Sequence, residues 1–157
     1  MKEISMEIEK LGAERAESFF ETLTDYYYAN SIKCSCLESF TRSDAENKIR
    51  SMISHIADGS AIVYGSIGDG ELLGYIWAYR ISFRDEDRVY VSEVHVSEKC
   101  RGQGTGHQLL AAVEEEARKM KVPALYIHTE ADNSGAIKLY EREGYRMERV
   151  QMRKPLD

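Results

Sequence analysis

Prolines are scarce in this 157-residue chain, which has only two, so little in it forbids long helices and strands. Cysteines are few and odd in number: Cys34, Cys36 and Cys100 are unevenly spaced, which argues against a disulfide framework and predicts reduced thiols. The pair Cys34 and Cys36 has no matching ligand pair elsewhere, so no metal site is expected. No apolar run approaches the ~20 residues that cross a bilayer, which predicts no membrane partner. The first five residues lack the basic-then-apolar run of a secretion signal, and the expectation is a soluble, cytoplasmic chain. Positive charge is also in deficit, 21 Lys and Arg against 27 Asp and Glu for a net charge of -6, which argues against nucleic acid as a partner.

What remains is an ordinary globular composition, 43% hydrophobic, without repeats, low-complexity tracts or linkers, and one domain over residues 1–157 is expected. Patterning predicts a strand at residues 4–11 and a helix at 13–29 with Ala16, Phe19, Phe20 and Leu23 on one stripe. A Ser- and Cys-containing loop should run to about Phe40. A second helix should follow, capped by Thr41 or Ser43, to about Ala57, with Ile49, Met52, Ile53 and Ile56 buried. Residues 61–67 and 72–83 read as an antiparallel pair about the turn Gly68-Asp69-Gly70, and 89–96 as a further strand after a charged turn at 84–88.

The pattern then changes to a glycine turn and a long helix at 104–121, with Leu109, Val113, Ala117 and Met120 at helical spacing and Pro123 as its stop. A strand at 124–129, buried on both faces, should pair in parallel with 89–96. A fourth helix at 133–143 ends at Gly144. The tail at 145–155 is β-like, with a parity shift between Met147 and Val150 that a bulge would explain.

Chemistry concentrates in Val94-His95-Val96-Ser97-Glu98-Lys99-Cys100-Arg101-Gly102-Gln103-Gly104-Thr105-Gly106, a strand that enters a glycine turn and starts a helix. Glycines permit close backbone approach and positive φ, and the unpaired N–H groups of a first helical turn point at an anion. The turn is not a P-loop, since no Gly-Lys-Ser/Thr ending is present, and His107 stands where a dinucleotide fingerprint needs its third glycine. A plain strand-to-helix connection is the alternative for a lone glycine pair, and three alternating glycines weigh against it.

This segment resembles the pyrophosphate-binding motif of the GNAT superfamily of N-acetyltransferases, Arg/Gln-x-x-Gly-x-Gly/Ala, met by Arg101, Gly104 and Gly106. A second resemblance is Asn133, Ala136, Ile137, Leu139, Tyr140 and Glu141 followed by Gly144-Tyr145, similar to the family's Asn helix and its Tyr-Glu-x-x-Gly-aromatic ending. The resemblance covers most of the chain. It implies a mixed α/β acyl-CoA N-acyltransferase fold, with a mostly antiparallel sheet, one splayed parallel strand pair and four flanking helices. The short C-terminus leaves little room for the family's final hairpin.

The resemblance further implies acetyl-CoA as cosubstrate, its pantetheine between the two splayed strands, its amides on the backbone of Val94 and Val96, and its diphosphate on residues 101–106 (Arg101, Gly102, Gln103, Gly104, Thr105, Gly106). The Val96 N–H would polarise the thioester. His95, Asn133, Ala136 and Tyr140 complete the expected cosubstrate-binding set, with Asn133 and Tyr140 on one helix face. The family's tyrosine stands beside the thioester sulfur, so Tyr140 is read either as the acid for the departing thiolate or as a core aromatic.

A charged primary amine must lose a proton before attack. Glu93 is the candidate base, placed by alternation on the face of Val91 and His95, where apolar surroundings would raise its pKa. Its alternative is a charged residue tied to a neighbouring strand. His95 is either a satisfied sheet histidine or a base acting through water, and Cys100 reads as structural. By family analogy Tyr26, Tyr27, Tyr28, residues 31–40 and the strand end at 79–83 wall an amine pocket, with at least one tyrosine exposed.

The expected activity is acetyl transfer from acetyl-CoA to a primary amine of a small molecule by direct attack in a ternary complex. A protein or peptide N-terminal acceptor, and a CoA-binding regulatory module without transfer activity, stay open. A homodimer is compatible with the family.

Overall fold

A computed structural model describes residues 4–33 and 39–156. The elements are β1 (Glu7–Lys10), α1 (Ala13–Ser18), α2 (Phe20–Ser31), α3 (Arg42–Ala57), β2 (Ala61–Gly68), β3 (Glu71–Phe83), β4 (Glu86–Val96), a 3-10 turn (Glu98–Cys100), α4 (Thr105–Lys119), β5 (Leu125–Ile127) and α5 (Ser134–Arg142). The five strands lie in sequence order in one sheet, antiparallel from β1 to β4 and parallel between β4 and β5. The mixed sheet and its one parallel pair agree with the sequence reading.

Period-two alternation in the central strands builds two cores, one on each face of the sheet. Ala61, Val63, Tyr75 and Trp77 join Ala16, Leu23, Ile49 and Met52 from the first three helices. Their neighbours Ile62, Ile76 and Ala78 point the other way, into Leu109, Leu110, Val113 and Ala117 of α4. With both faces covered, β2 and β3 are nearly continuously apolar.

Several boundaries differ from the sequence reading. The first helix is two, so among the described residues five α-helices flank the sheet rather than four, and the break falls at Phe19, whose φ of -106° and ψ of 16° leave the helix. A regular helix turns about 100° per residue and would splay the adjacent Phe19 and Phe20; the break lets both pack on the same core. Both hairpins use two-residue turns with positive φ at each position, Asp69-Gly70 (52° and 79°) and Arg84-Asp85 (51° and 63°). The charged segment 86–88 is therefore strand rather than turn. Helix α4 stops at Lys119, earlier than Pro123 would require, because Lys121 adopts a left-handed φ of 58°.

The strand expected at 124–129 contracts to Leu125–Ile127 and is half-buried rather than enclosed. Residues 145–156 form no regular strand, so they do not build the extra sheet layer that would enclose it. Met147, Val150, Met152 and Leu156 of this tail are exposed, consistent with a parity shift that prevents one apolar face from forming. At Thr41 the capping reading holds: its hydroxyl accepts from the Asp44 N–H at 3.2 Å and Asp44 Oδ2 accepts from the Thr41 N–H at 2.8 Å.

Gly74 sets the approach of β3 to β4, opposite Val96. A Cβ there would lie 2.8 Å from the His95 carbonyl oxygen and 3.4 Å from Val96 Cα, both backbone atoms that cannot yield alone. Gly74→Ala should therefore destabilise the protein by about 1–3 kcal/mol through overpacking, read as a lower urea midpoint at unchanged slope.

Candidate active site

The site is organised by an irregularity in β4. Trp77 pairs with Glu93 and Ala78 with Val91, so Ser92 is an extra residue without a partner on β3. Before it, Val89 and Val91 face α4; after it, Val94 and Val96 do. The bulge therefore sends Glu93 and His95 to the opposite face, toward α2. Strict alternation had placed Glu93 with both Val91 and His95, and the structure corrects the first half of that reading, since a one-residue insertion inverts parity.

On that face Glu93 is half-buried against α2 and β3. Asn30 Nδ2 donates to Glu93 Oε2 at 2.8 Å and approaches the Val94 carbonyl oxygen at 3.3 Å, while Asn30 Oδ1 lies 2.9 Å from His95 Nδ1. Tyr26 stacks on the His95 ring at 4.2 Å and donates its hydroxyl to the Leu72 carbonyl at 2.7 Å. Tyr27 sits between Trp77 at 6.1 Å and Phe40 at 6.0 Å, and Tyr28 stacks on Phe40. All three tyrosines are half-buried, so the expected exposed one is absent: Phe40 covers the flank that a helix alone would leave wet. Residues 34–38 of the expected pocket wall, Cys34 and Cys36 among them, lie outside the described residues.

Burial dominates the electrostatics. It pushes the Glu93 carboxyl from 4.5 up to about 7, with the Asn30 amide pulling back by favouring the charged form. Burial also lowers His95 to about 4, assisted by the positive charges of Arg101 and Lys33. His95 is thus neutral and weakly basic near pH 7. Tyr140 is raised to about 12 by burial and then by the charge of Glu93, which places phenol and carboxylate within electrostatic reach. The hydroxyl of Tyr75 and the indole N–H of Trp77, register partners of His95 and Glu93, are buried without hydrogen-bond partners.

Beside this cluster the sheet opens. β5 pairs with β4 only at Val89↔Leu125, Tyr90↔Tyr126 and Val91↔Ile127, whereas β4 continues to Val96. Ser97 donates to the Leu73 carbonyl at 2.8 Å, so the backbone groups of Val96, one residue earlier, face away from β3 and into the gap. There the Val96 carbonyl accepts from Arg101 Nε at 3.2 Å. The splayed pair expected from the sequence is present.

At the gap's end the 3-10 turn leads into Arg101-Gly102-Gln103-Gly104. Gly102 and Gly104 take φ of 76° and 79°, and a Cβ on either would meet nothing within 4 Å, which describes an open cradle of main chain. Gly104 is the N-cap of α4 without a side-chain cap, so the first-turn N–H groups are not satisfied by a capping residue. Such a terminus suits a diphosphate, and the chain therefore fits acetyl-CoA. Gly106 lies against Leu139, where a Cβ would come within 3.4 Å. Thr105 is buried with its hydroxyl 3.5 Å from the Cys100 carbonyl, so its side chain is turned into the protein and away from the open face of the turn. Gln103 Nε2 donates to the Lys99 carbonyl at 3.3 Å, and Cys100 is a buried free thiol, as its structural reading required.

Asn133 differs from expectation. It is the N-cap of α5, outside the helix, with Oδ1 accepting from the Ala136 N–H at 3.2 Å. Asn133 and Tyr140 thus do not share one helical face, and Asn133 instead sets where α5 begins. Tyr140 lies in the α5 interior with its ring edge-on to Tyr145 at 5.8 Å, and Ala136 is half-buried. Asn30 is the residue of this cluster that the sequence does not single out; its one signal is a polar residue four positions after Tyr26, on the same face of α2. Among the described residues no helix is long and apolar enough to cross a membrane, and no group of three His, Cys, Asp or Glu could hold a metal ion.

Comparison with known proteins agrees with this geometry. Residues 16–145 match the Acetyltransferase (GNAT) family. The chain is 30% identical over 121 residues to the uncharacterized N-acetyltransferase YdgE of Bacillus subtilis (strain 168), covering 76% of each protein. It is 28% identical over 85 residues to the D-amino-acid N-acetyltransferase HPA3 of Saccharomyces cerevisiae, covering 54% of this chain and 50% of that one. In fold it is similar to the aminoglycoside N-acetyltransferase AAC(6')-Iy in complex with CoA, with a TM-score of 0.73 at 16% identity over 98% of this chain and 97% of that one. The family match over most of the chain, on a sheet that splays at a glycine turn, makes this protein a member of the GNAT family of acetyltransferases.

Proposed function

We propose that this enzyme transfers the acetyl group of acetyl-CoA to a primary amine of a small molecule, by direct attack in a ternary complex. The observation that carries the reading is the Glu93 carboxyl, held near a pKa of about 7 beside the opened strands. The diphosphate would lie on the main chain of Arg101 to Gly106, with the pantetheine along Val94 and Val96. The small-molecule acceptor is supported by the similarity to HPA3, named for D-amino acids, and by the fold shared with aminoglycoside acetyltransferases.

In the reaction the amine nitrogen attacks the thioester carbonyl carbon; a C–N bond forms and the C–S bond breaks. The ammonium proton goes to Glu93, whose pKa near the working pH lets it accept and then release a proton. The Val96 N–H, directed into the gap, would stabilise the negative charge developing on the carbonyl oxygen. Burial keeps the Tyr140 phenol protonated throughout the neutral range, so it can serve the departing sulfur as a donor. The nitrogen's second proton, lost as the tetrahedral adduct collapses, replaces the one Tyr140 gives to sulfur; the products are the acetylamide and CoA thiol, with the proton on Glu93 released to solvent. His95, with a pKa of about 4, is too weakly basic to compete with Glu93 for the proton.

The decisive test is Glu93→Gln. Wild-type kcat/KM should rise with pH through a one-proton limb centred near 7. In the variant that limb should vanish and turnover fall by about 10² to 10⁴. The same substitution has a thermodynamic counterpart. Because the folded carboxyl holds its proton more tightly than the unfolded one, stability is highest below about pH 4.5 and declines as pH rises toward about 7. The decline amounts to about 3 kcal/mol at most. Urea titrations at pH 5 and pH 8 should show this slope in the wild type and its loss in Glu93→Gln.

Two further substitutions test the donor side. Tyr140→Phe should leave calorimetric CoA affinity within about twofold while turnover with the true acceptor drops at least about tenfold, and unchanged turnover would remove Tyr140 from the acid role. Gly104→Val places a β-branched residue at φ 79°, and CoA affinity should fall at least about tenfold with the thermal midpoint lowered by a few degrees.

A further inference from the structure

The environment of Glu93 contains one residue that the reaction as described does not use. Asn30 projects from α2 onto three successive residues of β4: its amide nitrogen reaches Glu93 Oε2 at 2.8 Å and the Val94 carbonyl oxygen at 3.3 Å, and its oxygen faces His95 Nδ1 at 2.9 Å. An asparagine amide has two donors and one acceptor oxygen, and only this orientation matches. Flipped, its oxygen would confront two other oxygens. The oxygen in turn requires a proton on His95 Nδ1, which fixes the tautomer of the neutral imidazole. The imidazole is held in plane by the Tyr26 ring at 4.2 Å, and Tyr26 is anchored through its hydroxyl to the Leu72 carbonyl at 2.7 Å.

We propose that Asn30 is a positioning residue for the proton acceptor, its amide held in one orientation by His95 so that its N–H side is always presented to Glu93. The proposal rests on Glu93 acting as the base. Tyr26 and Asn30 are four residues apart on one face of α2 and grip β4 just beyond its bulge, so the carboxylate has a fixed direction despite lying on an irregular strand.

A hydrogen bond donated to a carboxylate favours its charged form, which opposes the burial that favours the protonated one. The other groups around Glu93 are Tyr27 from α2, Tyr75 and Trp77 from β3, and Tyr140 from α5; the charges of Lys33 and Arg101 act on His95. Burial moves all three of these tyrosines up, away from neutrality, and His95 down, so Glu93 alone among them changes charge near pH 7. Asn30 sets where that change occurs.

The test reads Glu93 directly. Side-chain carboxyl resonances of the ¹³C-labelled protein, assigned through Glu93→Gln, give its titration midpoint without any substrate. Asn30→Ala should raise that midpoint by about one pH unit, the scale of one charge-assisted hydrogen bond. His95→Phe keeps a ring for Tyr26 to stack on but removes the Nδ1 donor, and should raise the midpoint in the same direction by a smaller amount. The acidic limb of kcat/KM should move with each midpoint. An unchanged midpoint in folded Asn30→Ala, or in His95→Phe should the first variant fail to fold, overturns the positioning role. A midpoint that shifts while the acidic limb stays in place overturns the base reading instead, leaving Asn30 as a tuner of a carboxyl outside the reaction.

Discussion

One supernumerary residue in β4 determines what this sheet can do. With Ser92 paired, Glu93 and His95 would point into the largely apolar core under α4 and away from Asn30, where burying an ionisable carboxyl is costly. With Ser92 bulged out, the second half of the strand is inverted, Val94 and Val96 take over the core positions, and the polar pair turns toward Asn30. The strand thereby keeps its apolar seam on both sides of the bulge while delivering a carboxylate to the other face. The bulge also precedes the stretch in which β4 outruns β5, so the change of direction and the opening of the sheet fall within a few residues of each other.

In the role proposed for Glu93 two requirements conflict. A proton acceptor useful near neutrality needs burial, and burial of a carboxylate without a partner is costly. The structure balances them with a single donated hydrogen bond from Asn30 rather than an ion pair, which would have driven the carboxyl to low pKa and left it ionised but inert as a base. The aromatic residues Tyr26, Tyr27, Tyr75, Trp77 and Tyr140 supply the low-dielectric surroundings without adding charge near pH 7. The orphaned Tyr75 hydroxyl and Trp77 indole N–H are polar atoms in the same interior that a bound molecule or water could satisfy.

Much of this was legible in the sequence, for identifiable reasons. The glycine turn, the long helix after it and the parallel strand order follow from local signals, and all are present in the fold. Glu93 and His95 stand out in the sequence by their place before the turn. Their direction does not, because alternation assumes an unbroken period of two and no composition signal marks Ser92 as extra. Asn30 was missed since its importance depends on a strand 63 residues away in sequence. The seven-residue spacing of Asn133 and Tyr140 suggested a shared face, but a residue at a helix boundary need not obey helical geometry, and Asn133 takes φ -81° and ψ 72°. The tail's irregular course follows from its broken parity, and the contraction of β5 follows from the tail's failure to cover it.

The sheet also acts as a partition. Helices α1 to α3 and the tyrosines of α2 pack on one face, while α4 and α5 pack against the other, and among the described residues the two clusters share no buried residue. Substitutions in separate, non-touching cores combine nearly additively. Changes to the packing of α2 on its own face therefore leave the packing under α4 largely in place, and the two faces of the sheet can vary in sequence with some independence.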